Sequence, residues 1–262
     1  MKRQVKHVRF RGSVVSSQSL FRKKSFLERS FVEDMMPGSN GFRWMGADAY
    51  LFDIDGTLMR SRDRVHFNAL NYAMLEAYGI ETTIAGVAYH GKTDPGILRA
   101  ALQRVGLENE AIDRKLADAL VIVRREVEHR AQELTPAVCS GIPVVLAKLK
   151  DAGKLMGVAS GNLETIGWRK IEVAGLRDFF TFGTFADDYE LREQVFQAGM
   201  EKVRSQLGTG ARVCFVGDTP QDVLAAKKVG AHVIAVCTGI FKAEELTPLG
   251  PDACVGSCAE LV

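Results

Sequence analysis

Short apolar runs alternate with longer amphipathic stretches along most of this chain. Apolar runs occur at 49–55, 155–159, 213–216 and 232–236, with a weaker one at 182–185, and apolar residues recur at helical spacing near 141–152, 163–174, 190–207 and 220–229. Strand–helix alternation of this kind is typical of α/β proteins, in which helices cover both faces of a parallel sheet. We therefore predict a Rossmann-like parallel sheet whose reactive groups lie beyond the carboxyl ends of its strands.

One long segment, 61–138, interrupts this alternation. It contains no convincing strand, and its apolar and charged residues recur at helical spacing in 69–77, 96–105 and 111–133. We predict that 61–138 forms an inserted α-helical cap domain of about four helices. The α/β core is then built from 47–60 and 139–262.

The first 46 residues form a basic leader. Residues 1–44 carry ten Lys or Arg and three Asp or Glu, a net charge of +7, so the overall charge of +2 leaves −5 for the rest of the chain. A basic leader on an acidic body is not the pattern of a nucleic-acid-binding domain, and no nucleic-acid partner is expected. The leader lacks the apolar stretch of a secretory signal. It is interpreted as a disordered tail, the product of an upstream start codon, or an organelle transit peptide.

Hydropathy and cysteine content bear on where the protein resides. No run of about 18 apolar residues is present, so neither a membrane-spanning helix nor a membrane partner is expected. The five cysteines are odd in number and form no C-x-x-C pair, for which a reducing cytosol is the simplest setting. We expect a cytoplasmic protein, or an organellar one if the leader is a transit peptide. The sequence does not indicate an oligomeric state.

The first chemical signal follows the first apolar run, where Asp53, Asp55, Gly56 and Thr57 stand together. Carboxylates two residues apart on a strand point to the same side and form a compact anionic site. A few carboxylates plus a substrate phosphate are the ligands that Mg²⁺ prefers. Gly56 permits a sharp turn, and the Thr57 hydroxyl can donate to a phosphate oxygen. The alternative is a ligand-free Asx-turn.

Two further strand ends carry polar groups. Asp218 and Asp222 follow the run at 213–216, and we interpret Asp218 as a metal ligand and Asp222 as a residue beside the metal. The alternative for this segment is a helix-capping aspartate. Ser160, Gly161 and Asn162 follow the run at 155–159 and suit an anion-binding corner at a helix start, although Ser-Gly-Asn is also a common turn.

Together these strand ends resemble the motifs of the haloacid dehalogenase superfamily of phosphohydrolases. The segment 53–57 is similar to the first motif, Ser160 to the second, and Gly217, Asp218 and Asp222 to the fourth. The resemblance spans about residues 48–260. A helical insert directly after the first motif is similar to the subgroup with an α-helical cap, which fits the fold class predicted above.

The resemblance implies a role for each matching residue. Asp53 would be the nucleophile and a magnesium ligand, and Asp55 the general acid and base that also lends its backbone carbonyl to the metal. Ser160 and Gly161 would bind the transferring phosphoryl group together with Thr57 and Asn162. The predicted metal set is therefore Asp53, Asp55, Asp218 and Asp222.

One feature of the family is not obvious in this chain. The third motif supplies a lysine, less often an arginine, that holds the nucleophile and the phosphate together. No lysine stands at the expected place, and Arg192 is the candidate replacement by position. The alternative is that Arg192 is a surface arginine on a solvated helix face.

Substrate choice is expected to depend on the cap. The segments 91–95 and 159–163 resemble those of phosphoglycolate phosphatases most closely. Lys92 stands in a loop where it would meet a substrate carboxylate, and His66 or His90 would hydrogen-bond the substrate. The histidines have the plainer alternative of surface or core residues.

The resemblance implies a Mg²⁺-dependent phosphatase that hydrolyses a small phosphorylated metabolite, such as phosphoglycolate, through an aspartyl-phosphate. One alternative is a phosphomutase of the same fold, whose relatives carry an arginine- and serine-containing cap loop unlike 91–95. A phosphonate hydrolase that uses a cap lysine is a related option. The last is a non-catalytic binding or regulatory protein, which only the altered third motif favours.

Overall fold

The computed structural model describes residues 43–262, and its centre is a six-stranded parallel sheet. Along the chain the strands are β1 (Ala49–Phe52), β2 (Met59–Ser61), β3 (Pro136–Val138), β4 (Leu155–Ala159), β5 (Phe182–Thr184), β6 (Val213–Gly217), β7 (His232–Val236) and β8 (Ala253–Val255). The large sheet has the order β5-β4-β1-β6-β7-β8. Every neighbouring pair in it runs parallel.

Eight α-helices connect and flank these strands within the described residues. They are α1 (Val65–Tyr78), α2 (Asp94–Arg104), α3 (Asn109–His129), α4 (Ile142–Asp151), α5 (Glu164–Val173), α6 (Arg192–Leu207), α7 (Pro220–Lys228) and α8 (Ala243–Leu246). Helices α4 to α8 belong to the layers that cover the sheet. The predicted α/β fold with a parallel sheet is confirmed.

Strand β1 is the centre of the sheet, and both of its faces are covered. All four of its residues are buried, and its neighbours are β4 on one side and β6 on the other. A strand buried on both faces reads as a continuous apolar run rather than an alternating one. One apolar cluster, containing Tyr50 and Phe52, packs on one face, and another, containing Ala49 and Leu51, packs on the other. The chain leaving β1 therefore emerges between two strand ends.

The helical insert has a core of its own. Helices α1, α2 and α3 pack around a third apolar cluster that includes Leu70 and Val123. The residues 61–138, all of which are described, contain three α-helices and two short 3₁₀ helices, where the periodicity predicted about four helices. At its base β2 pairs antiparallel with β3, so a two-stranded ribbon joins the insert to the core. The predicted domain boundaries remain predictions.

The packed core begins before residue 47. Trp44 is buried, and its backbone carbonyl accepts a hydrogen bond from the hydroxyl of Tyr50, which in turn accepts one from the backbone of Ala47 at 3.1 Å. The greater part of the predicted leader, residues 1–42, lies outside the described residues. Across 43–262, no helix combines the length and apolarity needed to cross a membrane.

Candidate active site

Three neighbouring strands of the sheet end at the same edge, and each is followed by a polar residue. Asp53 follows β1, Ser160 follows β4 and Asp218 follows β6. Because the strands are parallel and adjacent, these residues meet although they are far apart along the chain. The backbone amide of Asp53 donates to the carbonyl of Val216 at 2.9 Å, which carries the pairing of β1 and β6 up to the site.

The first group brought together is a cluster of buried carboxylates. Oxygen atoms of Asp53, Asp218 and Asp222 all lie within 4.8 Å of one another. The pKa of Asp53 is raised to about 6, chiefly by burial; the guanidinium of Arg192 opposes this rise, and the nearby carboxylate of Asp222 adds to it. Burial also raises the pKa of Asp218 well above its ordinary value, with Asp222 and Asp53 adding to the effect. Buried, hard oxygen donors with so much mutual repulsion fit a Mg²⁺ ion.

Asp222 differs from the other two because protein donors occupy both of its oxygens. One oxygen accepts from Nε of Arg192 at 2.9 Å and from its terminal nitrogen at 2.6 Å. The other accepts from the backbone amide of Thr219 at 3.0 Å and from its hydroxyl at 2.7 Å. Thr219 is the N-cap of α7 and forms a capping box with Asp222. Asp222 therefore caps the helix and positions Arg192 at the same time.

Arg192, the candidate for the third motif, does reach the first one. It begins α6 and is buried, with a guanidinium nitrogen 2.7 Å from Oδ1 of Asp53 and 2.6 Å from Oδ1 of Asp222. Burial disfavours its charge, but Asp222 and Asp53 outweigh that cost, and the net effect raises the pKa of the guanidinium. The surface alternative for Arg192 does not fit this burial.

Asp55 faces a lysine that the sequence analysis missed. Nζ of Lys170 lies 2.6 Å from Oδ2 of Asp55, 2.7 Å from Oδ1 of Asn162 and 3.1 Å from Nδ1 of His66. Burial opposes ionisation of Asp55, but the ammonium of Lys170 outweighs it, and the pKa of this carboxyl is lowered. Asp55 is thus held as a carboxylate.

The sequence did contain a signal for Lys170. The buried face of α5 consists of Ile166, Gly167, Lys170 and Ile171, so the lysine stands at helical spacing on an apolar stripe. A lysine is almost never fully buried without a partner. A charged residue at such a position is a reason to search for a carboxylate opposite it.

The predicted phosphate-binding residues separate into two groups. Ser160, Gly161 and Asn162 line the cavity above the carboxylates, and Nδ2 of Asn162 donates to Oδ2 of Asp55 at 2.9 Å. Thr57, in contrast, does not line the cavity although it is as fully buried as Ser160, and its hydroxyl donates to Oδ1 of Asp218 at 2.9 Å. In this arrangement Thr57 orients Asp218 and does not face the cavity.

The cap meets the core through the start of α2. The backbone amide of Asp94 donates to the carbonyl of Gly161 at 2.7 Å, and its side chain accepts from the amide of Leu163 at 2.9 Å. The same carboxylate lies 3.1 Å from Nε2 of His66. His66 therefore bridges Asp94 and Lys170, a position that joins the cap to the group beside Asp55.

The remaining specificity candidates also lie at the cavity. Lys92 is exposed and lines it, and the neighbouring His90 stacks on Tyr89 at a centroid distance of 4.3 Å. A Cβ atom on Gly161 would stand 2.3 Å from the carbonyl oxygen of Lys92, so the cap loop sits directly on the strand-end corner.

Replacing Gly56 with alanine is expected to reduce both stability and turnover. Gly56 has φ +93°, and a Cβ there would lie 2.3 Å from Oδ2 of Asp218. The backbone conformation alone costs an L-residue about 1–2 kcal/mol. The displaced carboxylate should lower the rate by about 100-fold, the effect of misplacing a catalytic group by about 1 Å. Urea unfolding and steady-state kinetics measure the two effects.

The matched control for this substitution is Gly79→Ala. Gly79 ends α1 with φ +70° and has no atom within 4 Å of the added Cβ. It reports the backbone cost without the clash, and turnover should be preserved. Equal losses of activity in the two variants would contradict the proposed contact between residue 56 and Asp218.

Known proteins that resemble this chain are hydrolases and phosphatases. The sequence profile described as haloacid dehalogenase-like hydrolase matches residues 47–230. The chain is 29% identical over 158 residues to the probable phosphatase IndB of Dickeya dadantii. The matched segment covers 60% of this chain and 66%, just under two thirds, of that protein. It is 25% identical over 199 residues to a phosphoglycolate phosphatase of Mesorhizobium japonicum, covering 74% of this chain and 85% of the relative.

Solved structures agree at the level of the fold. The structure of CbbY from Rhodobacter sphaeroides in complex with phosphate superposes with a TM-score of 0.62 at 20% identity, covering 82% of this chain and 96% of that one. The resemblance drawn from the strand-end motifs is confirmed by the match to the sequence profile. The predicted class of enzyme, a hydrolase, is confirmed as well, and its narrower form, a phosphoric monoester hydrolase, agrees with the names of the relatives.

Proposed function

This chain belongs to the haloacid dehalogenase-like hydrolase family, and we propose that it is a Mg²⁺-dependent phosphatase that hydrolyses a small phosphorylated metabolite through a phosphorylated Asp53. The observation that carries the proposal is the carboxylate cluster at the floor of the cavity. Asp53 and Asp218 are buried there, their pKa values are raised, and a buried arginine contacts the first of them. A binding protein has no need for such a costly arrangement.

In the proposed first step an oxygen of Asp53 attacks the phosphorus of the bound monoester, and the bond from phosphorus to the alcohol oxygen breaks. Arg192 fixes the orientation of the attacking carboxylate through its 2.7 Å contact. Ser160 and Gly161 stand where they can hold the transferring group, because both line the cavity beside Asp53. Dividing the hydrolysis into two displacements is the purpose of the covalent intermediate.

In the proposed second step water attacks the phosphorus of the phosphorylated Asp53, and Asp55 accepts a proton from that water. The bond from phosphorus to the Asp53 oxygen breaks, which releases inorganic phosphate and restores the Asp53 carboxylate. Asp55 is suited to this because Lys170 keeps it ionised. In the first step the departing alkoxide receives a proton through Asp55, which takes it from the ammonium of Lys170, and the proton that Asp55 accepts from water in the second step returns to Lys170. The ammonium of Lys170, 2.6 Å from Oδ2 of Asp55, is the nearest charged donor to that carboxylate among the described residues.

Asp53 and Asp218 would hold the metal with the backbone carbonyl of Asp55, whereas Asp222 acts through Arg192 and Thr219. Bound Mg²⁺ neutralises charge on the carboxylates and the phosphate, and so lowers the repulsion that opposes attack. Gly56 and Gly239 leave room on both sides of Asp218, since a Cβ at either would stand within 2.3 Å of Oδ2. The donor set therefore fits a small, hard cation.

Phosphate release from a panel of phosphorylated metabolites, with and without Mg²⁺, tests the proposal. Phosphoglycolate serves as the reference compound. One relative is named a phosphoglycolate phosphatase, and the segment 91–95 resembles the corresponding segment of such enzymes. We expect release that requires Mg²⁺ and stops on chelation. A panel that yields no phosphate at any Mg²⁺ concentration would refute the proposed activity.

Magnesium should stabilise the protein, and the effect should weaken in acid. The raised pKa of Asp53, about 6, means that this ligand is ionised at pH 7.5 and protonated at pH 5. A proton must then be displaced before the metal binds, so affinity falls as the pH drops below about 6. At 100 times its Kd the ion adds about 2.7 kcal/mol to the free energy of unfolding. Thermal melts with and without Mg²⁺ at both pH values measure the difference.

Asp218→Asn is the informative variant for that experiment, because it removes one ligand without adding bulk. Its Mg²⁺-induced shift of Tm should be largely lost at both pH values. Asp151→Asn, at an exposed position at the end of α4, should behave like the unchanged protein. A shift of equal size at pH 5 and pH 7.5 would argue against Asp53 as a ligand.

The non-catalytic alternative rested on the altered third motif. That alternative requires the positive charge beside Asp53 to be missing. Arg192, 2.7 Å from Asp53, supplies this charge. The phosphomutase alternative has no contact in the described residues that favours it.

A further inference from the structure

The cavity above the carboxylates is much larger than a phosphate group. It has a volume of about 640 Å³ and lies between the strand ends and the cap. Pockets of roughly 300–1,000 Å³ are typical of ligands the size of drugs and cofactors. A two-carbon phosphorylated acid would occupy only the polar floor, so the rest of the space needs another explanation.

Most of the apolar side chains that line the cavity belong to the cap and together form an apolar wall, beside the polar cap residues His66, His90, Lys92 and Asp94. The wall is formed by Phe67 and Leu70 of α1, Ile84 and Tyr89 of the following segment, and Ile97 of α2. Phe67 and Leu70 are three residues apart and therefore share one face of their helix. Phe67 and Tyr89 are half-buried and meet edge to face, with ring centroids 6.2 Å apart.

Cationic side chains also line the cavity. The guanidinium of Arg64 lies over the ring of Phe67, 4.1 Å from its centroid, so the ring already provides it with a partner. Nε of Arg60 donates to the backbone carbonyl of Thr238. Lys92 is exposed at the cavity. Arg60, Arg64 and Lys92 thus line the same cavity as the apolar wall.

We propose that the substrate is a phosphate monoester whose alcohol carries a ring-sized apolar group, which packs on the wall of Phe67, Tyr89 and Ile97. The phosphate lies at Asp53, and the apolar body extends towards the cap and displaces water from the wall. This inference rests on the proposed phosphatase function and narrows its substrate class. Phosphoglycolate, which has no such group, leaves the wall uncovered and is a poor substrate.

A matched pair of probes tests the inference: ethyl phosphate and 2-phenylethyl phosphate. Both are primary alkyl phosphates with leaving groups of similar basicity, so the phenyl ring is the difference that the cap can detect. We expect kcat/KM for 2-phenylethyl phosphate to exceed that for ethyl phosphate by about tenfold or more, equivalent to about 1.4 kcal/mol. Phosphoglycolate is assayed beside them.

Two variants connect the preference to the wall. Phe67→Ala and Tyr89→Ala should each lower the ratio of the two kcat/KM values several-fold. The ratio is measured on one preparation, so it does not depend on the fraction of folded protein. Val121→Ala, at an exposed position on the cap helix α3, should keep the ratio of the unchanged protein.

The outcomes separate the two proposals. Mg²⁺-dependent release with equal kcat/KM for both alkyl phosphates, or with a higher value for phosphoglycolate, would overturn the apolar-group inference and leave the phosphatase function intact. A preference that survives in both wall variants would also overturn it. If none of the three compounds releases phosphate, and the reactive ester p-nitrophenyl phosphate does not release it either, both proposals would be overturned.

Discussion

Asp53→Asn is expected to lower kcat by roughly 10⁴-fold or more, the scale on which removal of a catalytic nucleophile acts. An amide is a poor nucleophile and cannot form the acyl-phosphate. It keeps nearly the same shape, and its oxygen can still accept a hydrogen bond from Arg192, which lies 2.7 Å from Oδ1 in the unchanged protein. The loss should therefore be one of turnover rather than of folding. Phosphate release under single-turnover conditions and thermal melting measure the two separately.

The matched control is Asp151→Asn, the same chemical change at an exposed position at the end of α4. It should leave kcat and Tm unchanged. A second readout is acid-stable labelling after a brief incubation with a substrate labelled in its phosphoryl group, followed by proteolysis and mass spectrometry. Label on the peptide containing Asp53 is expected in the unchanged enzyme and should be missing in the variant. Full turnover by Asp53→Asn would remove the basis of the mechanism.

Arg192→Met should cost about 3–5 kcal/mol of unfolding free energy, because it leaves buried carboxylates without their partner. Arg192 and Asp222 are almost completely inaccessible, and the guanidinium contacts Asp222 and Asp53 within 2.7 Å. Turnover should fall at least about 100-fold as the nucleophile loses its orientation. Urea unfolding gives the first quantity, and kcat on any active substrate gives the second.

Arg212→Met is the control for the burial of the pair. Arg212 also pairs with an aspartate, Asp48 at 3.1 Å, but its side chain is 62% exposed. Exposed ion pairs contribute little to stability because water screens them, so this variant should lose little stability and no activity. Arg192→Lys keeps the charge but loses the bidentate contact. Its losses of stability and activity should lie between those of Arg192→Met and Arg212→Met. Equal effects of Arg192→Met and Arg212→Met would contradict a structural role for the buried pair.

The parts of the fold that the sequence predicted well are those with long, repeated patterns. β4, β6 and β7 were each recognised as apolar runs, because strands covered on both faces need continuous apolar residues. The ribbon of β2 and β3 and the edge strand β8 were missed. Each of these has only three residues, too few for a period-two pattern to stand out.

The candidate site was anticipated to a similar extent. Asp53, Ser160 and Asp218 were predicted from strand ends, and parallel pairing brings strand ends together in any sheet of this order. Thr57 was expected to face the phosphate, yet its hydroxyl binds Asp218. The direction of a single hydroxyl depends on neighbours distant in sequence, and a local turn motif does not specify them.

The local pattern of the chain was enough to establish an α/β sheet, a helical insert and a row of carboxylates at one edge. Each depends on residues close together in sequence, whose spacing decides how backbone and side chains are exposed. Only the tertiary structure decided that Arg192 pairs with Asp53 and Asp222, that Lys170 holds Asp55, and that the cap lines a large cavity with apolar side chains. Those contacts join distant parts of the chain, so their distances depend on how the helices pack on the sheet. Short-range sequence patterns do not specify that packing.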